Sequence, residues 1–343
     1  MEKQYKPVPD CEALRYKGTP GKPDIKIFVS HRIDLDAQTI DNPLYIPVRC
    51  GAVYDKRENV EMLGDDTGDN ISEKRMSFNE LTVQYWAWKN VKADYYGLCH
   101  YRRYLAFRTP ERAFQNEYGH LIADYPTCRA QEAYGLLDES LMRGKITACD
   151  ILAARPADVR KIHTPHGVKH TVREHWAAHD DFIKPELLDL VLALVDEMAP
   201  EYSQSAREYY KSYLVWGFNC YIMCQKAFDE LCKFQFPILF ELEKRLDTTG
   251  YTTTMRRSPG FASEILYGIF LYHHSKAGDY RMETLPLVYF EDTATEKSRW
   301  KNLWMALKHR FMRLVNFHLI PYGSKRRKCL KHFLIFVHII RKK

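Results

Sequence analysis

Short β-rich runs and longer segments with an apolar face alternate along residues 25–292. Runs rich in β-branched and aromatic residues predict strands over residues 25–31, 45–48, 93–104, 146–153 and 216–223. Apolar positions at helical spacing predict helices over residues 78–90, 187–198, 228–246 and 260–272, the third of which tolerates Pro237. Strands that alternate with helices predict an α/β domain with a mostly parallel sheet and helices on both faces.

Polar residues mark the ends of several of these elements. Ser77 precedes the first helix and Glu80 follows three residues later, which predicts a capping box at the start of the helix. In parallel sheets, ligands bind beyond the carboxyl ends of the strands. We therefore expect a site near His31, the basic turn at residues 100–103 and the polar loop at residues 65–72.

The charge is divided unevenly along the chain. Residues 297–343 hold fourteen Lys or Arg and no Asp or Glu, whereas residues 1–296 hold 37 basic and 44 acidic residues. Because acidic residues outnumber basic ones in residues 1–296, we do not expect the predicted domain to bind nucleic acid. The chain therefore combines an acidic body with a basic tail.

Large apolar residues recur at helical spacing within the basic tail. Lys and Arg side chains fill the gaps, a pattern typical of a helix lying in an anionic membrane surface. Residues 329–340 form a second apolar run, too short for a span of about 20 residues. The alternative is that both segments pack on the body. The apolar positions are Leu303, Trp304, Leu307, Phe311, Leu314 and Val315, and the interleaved cations are Lys301, Lys308, Arg310 and Arg313.

The composition is that of a packed protein, with 343 residues, 45% of them apolar and 13% aromatic. We expect a leader over residues 1–24, one domain over 25–295 and a membrane-associating tail over 296–343. The leader holds no apolar run of the secretory type. Nine cysteines without a CxxC pair predict reduced thiols. Together these features predict a cytoplasmic protein, peripheral on the inner face of the cytoplasmic membrane.

Several motifs, in order along residues 25–292, resemble the DUF4422 family of bacterial capsule and O-antigen glycosyltransferases. They are KIFVSH at 26–31, the loop at 64–72, the segment at 80–90, GLCHYRRY at 97–104, Phe218-Asn219, FPILFELE at 236–243 and RSPGFASE at 257–264. The resemblance implies a GT-A-like (Rossmann-like) fold and a nucleotide-sugar donor. Galactose, in pyranose or furanose form, is the donor sugar that it implies.

Such a transferase needs a site for base and ribose and cations for the diphosphate. Asp65, Asp66, Asp69 and Asn70 carry groups that can bind ribose hydroxyls, although their loop could instead be a capped turn or a Ca²⁺-like site. GT-A enzymes commonly place an Asp-x-Asp metal motif where this chain has residues 100–103. The candidate donor-binding residues are His31, Asp65, Asp66, Asp69, Asn70, His100, Arg102, Arg103, Asn219 and Arg257.

The arginines at this position favour a site without a metal. Arg102 and Arg103 can bind phosphate oxygens directly by charge-assisted hydrogen bonds. Their alternative role is ion pairing with the acidic body. A divalent metal on the diphosphate is the less favoured arrangement, because the literal Asp-x-Asp at residues 34–36 follows the first strand instead. We expect no other cofactor.

A carboxylate must activate the acceptor hydroxyl, and we choose Glu264, which follows a loop that opens a helix. Its alternative role is helix capping, and Asp181 is the second candidate base. His175 and His179 are spaced for a shared metal on one helix face, but acceptor binding or plain packing is the preferred interpretation.

The predicted function is transfer of a hexose from a UDP-sugar to a growing lipid-linked surface polysaccharide, with inversion. The partners would be the donor, a glycan acceptor on a lipid carrier and an anionic membrane surface. The alternative from another class is a non-catalytic, peripheral-membrane protein that binds a nucleotide or a partner. Phosphosugar transfer is disfavoured because no phosphoryl-transfer motif is present.

Overall fold

The computed structural model describes residues 6–293, 299–320, 324–327 and 329–330. Its strands are β1 (Ile25–Arg32), β2 (Tyr45–Cys50), β3 (Leu63–Gly64), β4 (Tyr95–His100), β5 (Arg103–Leu105), β6 (Phe114–Gln115), β7 (Leu121–Ala123), β8 (Ile151–Ala154), β9 (Ala157–Asp158), β10 (His163–Thr164), β11 (Gly167–Val168), β12 (Leu214–Val215), β13 (Tyr221–Cys224), β14 (Met282–Leu285) and β15 (Leu287–Phe290). Its α-helices are α1 (Arg75–Phe78), α2 (Leu81–Asn90), α3 (Cys128–Ala133), α4 (Glu139–Thr147), α5 (Val172–Ala177), α6 (Pro185–Met198), α7 (Ser203–Lys211), α8 (Gln225–Arg245), α9 (Ser258–Ala277) and α10 (Arg299–Arg313).

The central layer of the described chain is a sheet in the order β3-β2-β1-β4-β13-β8-β14. β1 pairs in parallel with β2 and β4, so that Phe28 lies opposite both Ile46 and Leu98. β13 runs antiparallel to β4 and β8, and β14 is parallel to β8. Because β13 is the exception, the sheet is largely parallel. The predicted α/β class is confirmed.

Strand β1 shows why helices must cover both faces of this sheet. Successive side chains of a strand point to opposite faces. Phe28 joins the core under α2, where its ring meets Trp86 edge-on at 6.1 Å. Ile27 and Val29 join the second core, which includes Met142 of α4. Residues 25–31 are all buried, so both faces of the strand are covered.

Three predicted element boundaries were wrong. The helix predicted over 78–90 is broken at Asn79, whose φ of 51° ends α1, and α2 begins at Leu81. No capping box forms there, because Ser77 Oγ lies 2.9 Å from Glu243 Oε1 instead. Part of the strand predicted over 146–153 belongs to α4, and β8 begins only at Ile151. The strand predicted over 216–223 begins at Tyr221.

A smaller layer continues from the end of β4 through β5, β15, β7 and β6. Helix α10 contacts it through His309, whose Nδ1 lies 3.5 Å from Glu291 Oε2 and 3.8 Å from Asp124 Oδ1. The predicted tail helix is thus present, and a π-helical turn, Leu314–Leu319, continues it. Of the second apolar run, residues 331–340 lie outside the described residues. No helix among the described residues has the length and apolarity to cross a bilayer.

Candidate active site

A cleft opens at the carboxyl ends of β1 and β4, where a parallel sheet is expected to hold its ligand. One part is a cavity of about 540 Å³, here named the cationic half, and the other is a cavity of about 330 Å³, named the aromatic half. The two halves share Asn79, Glu80, His100, Arg103 and Arg257. These shared residues form the border at which two ligands could meet.

The cationic half is lined by Arg32, Arg75, Arg102, Arg103 and Arg257. One carboxylate, that of Asp34, neutralises two of them: it accepts hydrogen bonds from Arg32 and, at 3.1 Å, from Arg75. Arg32 in turn holds the pKa of Asp34 well below its usual range. The Asp34 carboxylate is therefore already paired with Arg32 and Arg75. Asp36 pairs outside the cleft with Arg57 at 3.0 Å, so both acids of the Asp-x-Asp motif are in ion pairs.

Arg102 and Arg103 are held by aromatic rings, and among the described residues neither forms an ion pair. The guanidinium carbon of Arg102 lies 5.2 Å from the Tyr289 ring centre, and that of Arg103 lies 5.3 Å from the Phe218 ring centre. Each Nε is buried without a hydrogen-bond partner in the described chain. Cation–π contacts occupy the faces of a guanidinium and leave its N–H edges for an anion.

The chain reverses sharply between β4 and β5, which places both arginines at the cleft. His100 pairs with Arg103 across the turn. The Tyr101 N–H donates to Ser30 O at 3.1 Å, and the Phe290 N–H donates to Arg102 O at 2.9 Å. The turn is therefore fixed to β1 on one side and to β15 on the other.

The two histidines predicted for the donor site are both uncharged. His100 lines the cleft, and burial together with the nearby Arg103 holds its pKa well below the ordinary value. His31 is buried behind the cleft wall, its ring 6.2 Å from that of Tyr101, and burial lowers its pKa to about 4. Neither ring can therefore contribute positive charge near neutral pH.

Two carboxylates stand near the border of the two halves. Glu264 lies on α9, and its Oε2 accepts the Phe218 N–H at 3.0 Å. Burial, and secondarily the charge of Glu80, raise the pKa of Glu264 to about 7, although Arg103 and Arg257 oppose the shift. A carboxyl with this pKa is half ionised at neutral pH, the condition that suits a general base.

Glu80 was missed as a site residue because the sequence assigned it to a capping box. Its Oε1 instead accepts the Asn219 Nδ2–H at 3.1 Å, and its side chain borders both halves. The chain leaves the helix at Asn79, so Glu80 does not stand three residues into a helix that starts at Ser77. Asn79 is itself held at the cleft, because its Oδ1 accepts a hydrogen bond from Arg257 Nε at 2.8 Å. The one hint in the sequence was Asn79 directly before Glu80, because Asn adopts a positive φ more readily than most residues.

Phe218 and Asn219 hold an uncommon backbone conformation beside these carboxylates. Their φ angles are 71° and 40°, in the left-handed region that costs a non-glycine residue about 1–3 kcal/mol. The conformation lets the Phe218 N–H reach Glu264 and lets Asn219 donate to Glu80 and, at 3.1 Å, to Ser263 Oγ. Asn219, predicted to bind the donor, is buried behind the cleft wall and positions Glu80.

The predicted nucleotide loop does not line the cleft. Asp65 is fully buried and accepts hydrogen bonds from the backbone N–H groups of Gly51 and Ala52, both at 2.9 Å, and from the hydroxyls of Ser72 and Thr82, both at 2.5 Å. Four donors saturate its carboxylate. Asp65 therefore joins β2 to α2 and has no capacity left for a ribose.

Its neighbours in the loop are also engaged within the fold. Asp66 pairs with Lys6 at 2.5 Å, and Asp69 accepts from the Tyr85 hydroxyl at 3.3 Å. Asn70 donates to the Gly68 carbonyl at 2.8 Å. The loop is therefore a turn held by hydrogen bonds of its side chains, and none of the four residues lines the cleft.

Asp181, the second candidate base, is exposed and lies outside the lining of both halves. His175 and His179 do line the aromatic half, with ring centres 4.8 Å apart. The described residues place no third metal-ligating side chain with this pair, since their one such cluster contains His309 instead. The arrangement therefore favours a role in contacting a ligand or in packing.

Comparisons with known proteins agree with this architecture. The model of a family described as a domain of unknown function, DUF4422, matches residues 26–275. A solved apo structure of the bifunctional glycosyltransferase WbbM has a TM-score of 0.71 and 24% identity to this chain. The likeness covers 78% of this chain but 46% of WbbM, so the chain spans about half the length of that protein and shares its fold. No curated protein matches the chain.

Proposed function

This chain belongs to the DUF4422 family, and we propose that it is a glycosyltransferase that moves a hexose from a UDP-sugar to a growing lipid-linked surface polysaccharide. The observation that carries the proposal is the border of the two halves of the cleft. There, arginines without acidic partners in the described chain face a carboxylate whose pKa is about 7. The WbbM fold supports the proposal.

The cationic half would bind the diphosphate of the donor. Arg102 and Arg103 line this half, and the Nε of each has no hydrogen-bond partner in the described chain. Arg257 lies at the border, where its Nε donates to Asn79 Oδ1. Charge-assisted hydrogen bonds from arginine suit phosphate oxygens and stabilise the charge that develops on a departing diphosphate. Because Asp34 is already neutralised by Arg32 and Arg75, we propose that the arginines act without a metal.

Glu264 would act as the general base in a single displacement. The acceptor oxygen forms its bond to the anomeric carbon as the bond to the diphosphate oxygen breaks. The electron pair leaves with UDP, and the acceptor's proton passes to Glu264. Because attack comes from the face opposite the leaving group, the configuration inverts. The donor sugar is galactose, pyranose or furanose, as the resemblance implies.

Helix α10 supports association with a membrane. Trp300, Leu303, Trp304, Leu307 and Phe311 are all more than half exposed, with Trp300 at 81%. At 100° per residue they fall within about 100° of the helix circumference, and His309 lies about 180° from Trp300. The helix therefore contacts the body through a polar position and leaves its apolar stripe in solvent.

An exposed apolar stripe flanked by cations fits an anionic bilayer. Lys308 and Arg310 are exposed beside the stripe. The helix contacts Glu291 through His309. Two residues earlier in the chain, the Tyr289 ring contacts Arg102 and Arg103 of the cleft. Binding of α10 to the inner face of the cytoplasmic membrane would hold the cleft near a lipid-linked acceptor.

The membrane proposal is tested by sedimentation with vesicles. The full chain should pellet with vesicles rich in phosphatidylserine and not with phosphatidylcholine alone. Exchange of Trp300 and Trp304 for serine should weaken the association by an order of magnitude or more, because two buried aromatic groups are lost. Equal sedimentation with neutral and anionic vesicles would contradict the proposal.

The transferase itself is tested by incubating the purified chain with a panel of UDP-sugars and measuring UDP release with and without a glycan acceptor. A true donor should also raise the melting temperature, because a ligand bound to the folded state stabilises it. A non-catalytic nucleotide-binding protein would show the thermal shift without UDP release. Glu264→Gln serves as the catalytically inactive control.

A further inference from the structure

The aromatic half is walled by rings that contact one another. The rings of Phe182 and Phe261 lie 5.1 Å apart, and the Tyr118 and Phe218 rings meet edge-on at 5.4 Å. His179 lies 5.9 Å from Phe182 and so continues the wall toward α5. Phe182 remains 37% exposed, an unusual state for a large apolar ring inside a cavity lining. The wall therefore offers ring faces to a ligand.

This half is close to electrically neutral. Some described residues line the aromatic half but not the cationic half. Among them, Glu264 is the single residue of the types Asp, Glu, Lys and Arg. Burial lowers the pKa of His175 to about 3 and lowers that of His179, so both rings are uncharged near neutral pH. The cations Arg103 and Arg257 stand at the border with the cationic half. Away from that border, the lining offers a ligand ring faces, uncharged histidines and the Glu264 carboxyl.

Two buried polar atoms in its lining lack a partner in the described chain. They are Nδ1 of His175 and Nε1 of Trp176, on side chains whose residues are 3% and 8% exposed. Buried polar groups in native proteins nearly always have a hydrogen-bond partner. Both residues lie on α5, whose start is fixed by a capping box between Thr171 and Glu174. A ligand with hydroxyl groups would supply the missing partners.

We infer that the aromatic half is the acceptor subsite and that it takes an uncharged sugar ring. The inference rests on the proposed function, since it places the acceptor hydroxyl at Glu264. One C–H face of the sugar contacts Phe182 and Phe261, and its hydroxyls bond to the Trp176 indole N–H and to the neutral His175. Ring faces and a few convergent polar groups are the usual lining of a site for a neutral ligand.

The test separates acceptor from donor binding in the full-length chain. Trp176→Phe removes the N–H and keeps the ring, and Phe182→Ala removes an exposed ring. Each should raise the KM for a neutral octyl hexoside by about tenfold or more and change the donor KM by less than twofold, because one hydrogen bond or ring contact is lost. Tyr16→Ala, a 44% exposed aromatic that bonds Asp94 before β4, is the matched control.

An octyl glucuronide of the same sugar series should be a poorer acceptor than the neutral octyl hexoside. The two lining cations, Arg103 and Arg257, stand at the border with the cationic half, so the glucuronide carboxylate would meet the Glu264 carboxyl instead. Direct titration of the octyl hexoside, followed by tryptophan fluorescence, provides a readout that does not need turnover. Binding that depends on Phe182 without transfer from any donor would refute the proposed function and keep the subsite. Unchanged acceptor KM and unchanged binding in both variants, or equal use of the glucuronide, would overturn the subsite.

Discussion

Replacement of Glu264 by Gln separates a catalytic carboxylate from a structural one, because the two roles predict opposite changes in stability. Burial and the neighbouring Glu80 raise the Glu264 pKa from 4.5 to about 7. Below pH 4.5 the carboxyl is neutral in both the folded and the unfolded chain. As pH rises, the unfolded chain loses the proton first, so the free energy of unfolding falls until the folded chain also ionises near pH 7.

The size of this effect follows from the pKa. Each pH unit between the two values corresponds to about 1.4 kcal/mol, so ionised Glu264 destabilises the folded chain by about 3 kcal/mol above pH 7. A Gln side chain does not titrate, and its carbonyl can still accept the Phe218 N–H. Glu264→Gln should therefore raise the melting temperature by roughly 6 °C at pH 8.5 and leave it unchanged near pH 4.5.

Activity should change in the opposite direction. The amide cannot accept the acceptor's proton, so turnover should fall on the order of 10²–10⁴-fold while donor affinity is kept. The wild-type rate should rise with pH through a midpoint near 7, since only ionised Glu264 is a base. Thermal melts and UDP release on the same preparations give both quantities, with Asp181→Asn as the exposed control. A stable Gln variant with near wild-type turnover would refute the assignment, and a loss confined to Asp181→Asn would move the base there.

Two further predictions concern the arginines and the polar loop. Arg102→Ala should weaken donor binding about 10–100-fold, because charge-assisted hydrogen bonds to the diphosphate are lost. The control is Arg207→Ala, which removes an exposed arginine paired with Asp196 and should leave donor binding unchanged. EDTA should leave the wild type active, and activity that is lost in EDTA and restored by Mn²⁺ would contradict the metal-free proposal. Asp65→Ala should lower the free energy of unfolding by about 3–5 kcal/mol, because four buried donors lose their acceptor. Asp66→Ala should cost about 1 kcal/mol or less, because it removes one ion pair whose Lys6 side chain is 69% exposed. A stable Asp65 variant with weakened donor binding would return the loop to the site.

The sequence by itself determined the fold class and much of the cleft's cationic chemistry. Short β-rich runs alternate with longer segments that have an apolar face along residues 25–292, and this alternation predicts an α/β domain. The alternation of elements then placed the basic turn at a strand end, where the structure has it. These inferences succeed because hydrophobic periodicity is a local property, readable within about ten residues.

The same reasoning failed where a polar residue had two local interpretations. Asp65 had the composition of a ribose ligand, yet its four donors come from residues up to 17 positions away, and saturation of a carboxylate is visible only in three dimensions. Glu80 matched a capping box, but the positive φ of Asn79 turned it into the cleft. Neither outcome follows from a short sequence pattern, because both depend on which distant groups reach the side chain.

Tertiary structure alone decided how the candidate site is assembled. The aromatic half brings together Glu80, Arg103, Phe218 and Glu264, which stand far apart in sequence. They meet only when α9, β5 and the segments that precede α2 and β13 pack together. The raised pKa of Glu264 likewise depends on burial beside Glu80. Desolvation and charge interactions act through space over a few ångströms, so they are set by packing and have no signature in the order of residues along the chain.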